Sequence, residues 1–212
     1  MKIGRPRSFC VEDALDRAMD VFWRKGYQAA SLSDLTEAMG INAPSLYACF
    51  DNKEGLFRAV LDRYEDAGKG FLQEVMDAPT SRASAELFLK GVAARATDPD
   101  NHPPGCLLLQ SGLAGEDQRI PNELARYRAE KELALRERFA CAQRLGDLPA
   151  GADPAALARY LVTVANGMCV QASAGAKAED LLMVAELALA AWPAGEPAKR
   201  GKTAKQKADA GT

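Results

Sequence analysis

Apolar residues recur at helical spacing along most of the chain, and short polar or glycine-containing breaks separate the repeats. The first repeat places five residues on one face of a helix, namely Val11, Ala14, Leu15, Ala18 and Phe22. Gly26 follows at the point where a helix C-cap is expected. The pattern predicts a first amphipathic helix that begins near Val11 and ends at Gly26.

Two short helices separated by a tight turn are predicted next. Ser31 is a typical N-cap before an apolar stripe, and Asp34 stands three residues later in the capping-box position. Gly40 ends this helix, and Asn42 caps the next one, which carries Pro44 near its start. A short helix, a turn of about three residues and a second short helix are typical of a helix-turn-helix.

The rest of the chain predicts six further helices and no strand. Asp51 or Asn52 caps the fourth helix, which extends through Tyr64. Breaks rich in Gly and Pro separate the others, which are expected at residues 84–96, 105–114, 122–145, 154–174 and 179–192. The expected fold class is therefore all-α, with about nine helices.

The last two predicted helices are apolar around much of their circumference. Such helices need burial against more than one neighbour, so we expect them to form a homodimer interface. The residues expected at this interface are Leu157, Tyr160, Leu161, Val164, Leu182 and Leu189.

Composition narrows the function classes. The 212 residues are 48% hydrophobic and 26% charged. No run of 18 or more strongly apolar residues and no signal peptide is evident, so a cytoplasmic protein without a membrane segment is expected. With 27 Lys and Arg against 29 Asp and Glu, the net charge is -2. Nucleic-acid binding would therefore depend on locally placed cations rather than on a global positive field.

Enzyme and metal chemistry have little support in the sequence. The five cysteines are scattered without a C-x-x-C pair, and His102 is the single histidine. We therefore expect no cofactor, no metal site and no disulfide framework. An enzyme that uses a cysteine nucleophile in the helical domain is the alternative from another class, but His102 lies in a proline-rich loop and no general base is apparent.

The N-terminal third resembles the DNA-binding domain of the TetR family of transcriptional regulators. The matching residues are Gly4-Arg5-Pro6-Arg7, residues 18–26 and 31–40, and the run Ile41-Asn42-Ala43-Pro44-Ser45-Leu46-Tyr47-Ala48-Cys49-Phe50-Asp51-Asn52-Lys53-Glu54-Gly55-Leu56-Phe57. The resemblance implies a three-helix DNA-binding domain followed by a helical ligand-binding and dimerisation domain. The expected division is a basic arm (1–8), the DNA-binding domain (9–64), the effector and dimerisation domain (65–192) and a disordered basic tail (193–212).

The resemblance also implies a set of DNA contacts. The arm with Arg5 and Arg7 lies near the adjacent backbone or minor groove, and Ser31, Tyr47 and Lys53 contact phosphates. The first turn of the recognition helix offers Asn42, Ala43, Pro44 and Ser45 to the bases. Two alternatives stay open, because Tyr47 could be a core aromatic with its hydroxyl at the surface and Lys53 could be an ordinary solvated lysine.

The function expected from this resemblance is that of an effector-responsive dimeric regulator, most simply a repressor that binds palindromic double-stranded DNA and is released by a small-molecule inducer. Residues expected to line the effector pocket are Leu87, Phe88, Cys106, Gln110, Tyr127, Asn166 and Met168, with plain helix packing as the alternative for each. Cys106 near a predicted helix start also suggests a second hypothesis, a repressor that senses oxidants or soft metals through cysteine. The sequence identifies neither effector nor operator, and does not separate repression from activation.

Overall fold

A computed structural model of the chain describes residues 9–98, 103–111 and 119–193. Within these ranges the chain forms nine α-helices and no strand, which confirms the all-α prediction. The helices are α1 (Val11–Ala29), α2 (Leu32–Met39), α3 (Ala43–Phe50), α4 (Lys53–Asp77), α5 (Ser81–Thr97), α6 (Leu107–Gln110), α7 (Arg119–Arg144), α8 (Pro154–Ser173) and α9 (Ala178–Ala190).

The predicted caps of the helix-turn-helix are present. The Asp34 N–H donates to Ser31 Oγ (3.1 Å) and the Ser31 N–H donates to the Asp34 carboxylate (3.0 Å), which is a complete capping box. Asn42 Oδ1 accepts from the Ser45 N–H at 2.9 Å. At the start of α4 the cap is Asn52, whose Oδ1 accepts from the Gly55 N–H at 2.8 Å.

Gly26 does not end the first helix, contrary to the sequence prediction. Helical backbone resumes after it and continues to Ala29, with Gly26 at φ 73° and ψ 165° forming a kink inside α1. The Ala30 N–H then donates to the Gly26 carbonyl at 3.3 Å. A positive φ is accessible to glycine without steric cost, so the residue bends the helix instead of terminating it.

Other helix bounds differ from the expectation in detail. Thr80 caps α5 through the Ala83 N–H (3.1 Å), so this helix begins at Ser81 rather than at residue 84. Of the helix predicted at 105–114, the structure describes residues 105–111. The helical part of these residues is the single turn of α6. None of the helices in the described ranges combines the length and the apolar character that a bilayer-spanning segment needs.

Two apolar cores organise the structure. The first, the head core, is formed by α1, α2, α3 and the first half of α4, and includes Phe22, Trp23 and Phe57. The second, the body core, is formed by α5, α7, α8 and α9 with the end of α4, and includes Phe139 and Trp192.

The head core also contains residues from beyond the helix-turn-helix. Leu107 and Leu108 of α6 and Ile120 and Leu124 of α7 are buried in it. Packing therefore continues across the predicted division at residue 64, where α4 itself is uninterrupted. This places α6 between the head and the body.

Candidate nucleic-acid interface and effector cavity

Helix α3 presents one side to solvent and buries the other. Leu46 is completely buried in the head core, whereas Asn42, Ala43, Pro44 and Tyr47 are exposed. Tyr47 has 47% of its surface exposed, so it is not the core aromatic that the sequence left open as an alternative. The exposed side of α3 is therefore available for contact with DNA.

The first turn of α3 carries few groups that can read a base. Asn42 Oδ1 is engaged by the Ser45 N–H, which leaves the Nδ2 group of Asn42 as its available donor. Ala43 and Pro44 offer apolar surface only, and Ser45 is half-buried. This turn therefore offers few groups that could form base-specific hydrogen bonds.

Lys53 is held in place at the start of α4. Its Nζ donates to the Gln28 carbonyl at 3.2 Å and lies 4.7 Å from the centre of the Tyr27 ring. Partial burial lowers the pKa of Lys53 from its ordinary value. These contacts connect α4 to the end of α1, so Lys53 is not a freely solvated lysine.

Ser31 is exposed at the start of α2, next to the Asp34 carboxylate, whose charge is paired with that of Lys25. Lys25 Nζ lies 2.8 Å from Asp34 Oδ1. The hydrogen bond from Lys25, followed by those from Ser31, holds the pKa of Asp34 well below its usual range. The positive charge of Lys25 offsets this carboxylate, which would otherwise repel a phosphate near Ser31.

Arg5 and Arg7 of the predicted arm lie outside the described residues.

A cavity of about 330 Å³ lies between α4, α5, α7 and α8, against the start of α6. Of the seven residues predicted to line an effector pocket, the structure brings Phe88, Cys106 and Asn166 to this cavity. Asn166 contributes an amide group to the cavity wall.

The other four predicted residues lie elsewhere. Leu87 and Met168 pack in the body core, and Tyr127 packs against the head core. Gln110 Nε2 donates to the Pro104 carbonyl at 3.4 Å. For these four residues, packing or local hydrogen bonding accounts for the side chain.

Several polar residues on the cavity wall were not predicted from the sequence, among them Tyr64, Lys131 and Cys169. Tyr64 Oη lies 3.4 Å from Cys106 Sγ. Lys131 Nζ pairs with the Glu65 carboxylate at 2.8 Å and lies 5.8 Å from the centre of the Tyr64 ring. Each lies on a predicted helix, but helical periodicity does not indicate which faces of distant helices meet.

The two cavity thiols have opposite acidities. A hydrogen bond from Cys169, helped by a second from Tyr64 and by the charge of Lys131, lowers the pKa of Cys106 despite its burial. The pKa of Cys169 is raised, first by its hydrogen bond to Cys106 and then by burial. The side chains beside Cys106 lower its pKa more than the backbone N–H of Leu109 at the start of α6 does.

The chain matches a family model and several characterised proteins. Residues 14–60 match the model described as bacterial regulatory proteins, tetR family. The HTH-type transcriptional repressor ComR of Escherichia coli K12 is 39% identical over 194 residues, which are 90% of this chain and 92% of ComR. The repressor BdcR of the same organism is 30% identical over 187 residues, covering 87% and 90% of the two chains.

A solved structure agrees with these relatives. It is a cysteine mutant of the TetR family transcriptional regulator CifR, in complex with a 26-bp double-stranded operator. It is 44% identical to this chain, with a TM-score of 0.85, and the match covers 89% of this chain and 100% of the other.

Proposed function

Because this chain belongs to the TetR family of bacterial transcriptional regulators, we propose that it is a dimeric repressor that binds a palindromic operator and is released by a small-molecule effector. The relatives ComR and BdcR are transcriptional repressors, and the CifR mutant was crystallised with operator DNA. These relatives are regulators and not enzymes, so the chain is a DNA-binding regulator rather than an enzyme. We place its action in the cytoplasm, where its DNA target would be.

The arrangement of α3 and Lys53 is the observation that carries the DNA-binding proposal. Tyr47 projects from the exposed side of α3, and Lys53 begins the next helix with its ammonium held against Tyr27. A hydroxyl on an aromatic ring and a positioned ammonium are suited to bind phosphates on either side of a helix in the major groove. Because the net charge is -2, such local contacts must supply most of the affinity.

Exposed apolar side chains on α8 and α9 support the dimer. They are Tyr160, Val170, Met183, Val184 and Leu187. Of the six interface residues predicted from sequence, Leu161 and Leu189 are buried inside the protomer, and Leu157, Val164 and Leu182 are partly buried. We therefore propose that the exposed residues contact the second copy directly. Leu161 and Leu189 instead pack in the body core beneath them.

The cavity supports the effector part of the proposal. Its wall contains Cys106, the residue directly before α6, and α6 carries Leu107 and Leu108 into the head core. A molecule that binds the cavity in one arrangement of α6 better than in another would change the population of DNA-competent heads.

The test is selection of bound duplexes from a random pool, followed by titration of the selected duplex. We expect Tyr47→Phe and Lys53→Ala to weaken binding, and Lys53→Ala to reduce the slope of log affinity against log salt by about 0.9, the value for one lost phosphate contact. Lys90→Ala is the matched control, because Lys90 pairs with Glu86 on α5 (2.6 Å) and lies far along the chain from α3. Unchanged affinity in both head variants would refute the site assignment.

A further inference from the structure

Cys106 and Cys169 are two thiols on the wall of one cavity, contributed by different helical segments. Gly105, at φ 104°, packs so closely on α8 that a Cβ there would lie 3.1 Å from the Cys169 carbonyl and 3.1 Å from Ser173 Cβ. The backbone that carries Cys106 is thus in contact with the turn of α8 that carries Cys169. The Gly105 N–H also donates to the carbonyl of Ala96 in α5 at 2.9 Å. This hydrogen bond holds the Gly105 backbone in place between α5 and α8.

The surroundings assign different roles to the two thiols. Tyr64 packs partly buried against the head core, and desolvation raises its pKa, so its hydroxyl remains a donor toward Cys106 Sγ at 3.4 Å. Lys131, on the same wall, adds a positive charge that favours the Cys106 thiolate. Cys169 retains its proton and donates to Cys106. Cys106 is accordingly the nucleophile of the pair, and Cys169 is its resolving partner.

We propose that hydroperoxides oxidise Cys106 and Cys169 to an intramolecular disulfide, and that this disulfide lowers the affinity of the protein for its operator. The second half of this inference rests on the proposed repressor function, whereas disulfide formation can be measured without DNA.

The reaction balances in two steps. The Cys106 thiolate attacks the terminal oxygen of ROOH, the O–O bond breaks, and the RO⁻ that leaves takes up a proton to give an alcohol, or water when the oxidant is hydrogen peroxide. Cys169 then attacks the Cys106 sulfenic acid, an S–S bond forms, and the hydroxide that leaves takes the Cys169 proton as water. The two thiols lose two electrons and two protons in total, and the hydroperoxide is reduced.

The position of Cys106 explains why the head would respond. Cys106 directly precedes α6, and the next two residues, Leu107 and Leu108, are buried in the head core. A disulfide requires Cα atoms about 4.4–6.8 Å apart and a narrow range of dihedral angles, so forming the bond ties the start of α6 to α8. Any shift that satisfies this geometry acts directly on the packing of α6 against α1.

The experiment treats the reduced full-length protein with hydrogen peroxide and, separately, with cumene hydroperoxide. We expect a mass loss of about 2 Da, a Cys106–Cys169 cross-linked peptide under non-reducing digestion, and reversal by dithiothreitol. Affinity for the selected duplex should fall about tenfold or more, within the ~5–150-fold range common for allosteric coupling.

Variants identify the role of each thiol. Cys169→Ser should stop at a sulfenic acid that dimedone traps on Cys106, and Cys106→Ser should give neither product. Cys141→Ser is the matched control and should behave as the parent, because Cys141 is a partly buried cysteine of α7 that does not line the cavity.

Each contrary result points to a different error. Absence of the Cys106–Cys169 peptide, or cross-links through other cysteines instead, would refute the disulfide. A fully formed disulfide with unchanged operator affinity would refute the regulatory half. If the reduced protein selects no duplex at all, the proposed DNA-binding function is refuted. Mass spectrometry would still show whether Cys106 and Cys169 form a disulfide.

Discussion

The Gln110 carbonyl oxygen lies 3.2 Å from the position that a Cβ at Gly26 would occupy. The kink of α1 and the last residue of α6 are therefore in direct backbone contact. Both this close approach and the φ of 73° at Gly26 favour a residue without a side chain. A displacement of α6 would therefore act directly on α1 at its kink.

Replacement of this glycine tests the contact. Gly26→Ala should destabilise the protein by about 1–3 kcal/mol through backbone strain, with a further loss from the approach of the Gln110 carbonyl. Chemical denaturation monitored by circular dichroism measures the change. Gly146→Ala is the matched control, since Gly146 has φ 79° but no heavy atom within 4 Å of its added Cβ. Equal losses in the two variants would show that the contact with α6 has no energetic consequence.

Trp192 anchors the end of the described chain on the body core. Its ring meets that of Phe139 edge-on at 5.0 Å, and its Nε1 donates to Ser81 Oγ at 3.5 Å. Trp192→Ala should therefore cost about 3–5 kcal/mol of unfolding free energy, as large-to-small core substitutions do. Leu133→Ala, at an exposed position of α7, should change stability little. A loss below about 1 kcal/mol for Trp192→Ala would contradict the role assigned to it.

The apolar side of α9 gives a prediction about assembly. Leu187 is 74% exposed, and Met183 and Val184 are exposed one turn away. Leu187→Glu should convert the proposed dimer into a monomer of about the 22.7 kDa chain mass, because a carboxylate would be buried unpaired in the interface. Sedimentation at micromolar concentration measures the mass. Leu145→Glu, at a position 79% exposed beyond the end of α7, should leave the dimer intact. A parent protein that sediments as a monomer would refute the dimer itself.

The acidity of Cys106 predicts a pH profile for its reaction with iodoacetamide. Its pKa is below the ordinary value of 9.0, so the reactive thiolate should persist to lower pH than in an unperturbed thiol and be lost as the pH falls through the lowered pKa. The rate at each pH is followed by mass spectrometry of the Cys106 peptide.

The same argument predicts the effect of the neighbours. Tyr64→Phe removes a donor to the thiolate while keeping the ring, so the midpoint of the profile should move to higher pH. Cys169→Ser leaves a hydroxyl donor in place, so its effect should be smaller than that of Cys169→Ala. A midpoint at or above 9.0 in the parent protein would show that the contacts of Cys106 do not stabilise its thiolate.

Local signals accounted for most of the fold. The Ser31–Asp34 capping box and the caps at Asn42 and Asn52 involve residues three apart, so the sequence alone could predict them. The same local reasoning failed at Gly26, where α1 continues beyond the kink and Gly26 contacts α6, a helix that is distant in sequence.

The cavity was predictable only in part for a related reason. Phe88 and Asn166 lie on helices whose apolar stripes were evident, yet the neighbours of Cys106 come from α4, α7 and α8. Which faces of these helices meet depends on crossing geometry, which helical periodicity does not specify. The sequence therefore identified Cys106 but not Tyr64 or Cys169 beside it.

Helix α4 is unbroken from Lys53 to Asp77, and this continuity has a mechanical consequence. Phe71 and Leu72 line the cavity, whereas Lys53 is the first residue of the same helix. At about 1.5 Å per residue these two ends lie about 27 Å apart, so a tilt of only about 5° pivoting at the cavity would displace the Lys53 end by more than about 2 Å. A slight rearrangement of α4 at the cavity would therefore be magnified at Lys53 into a displacement comparable to the length of a hydrogen bond.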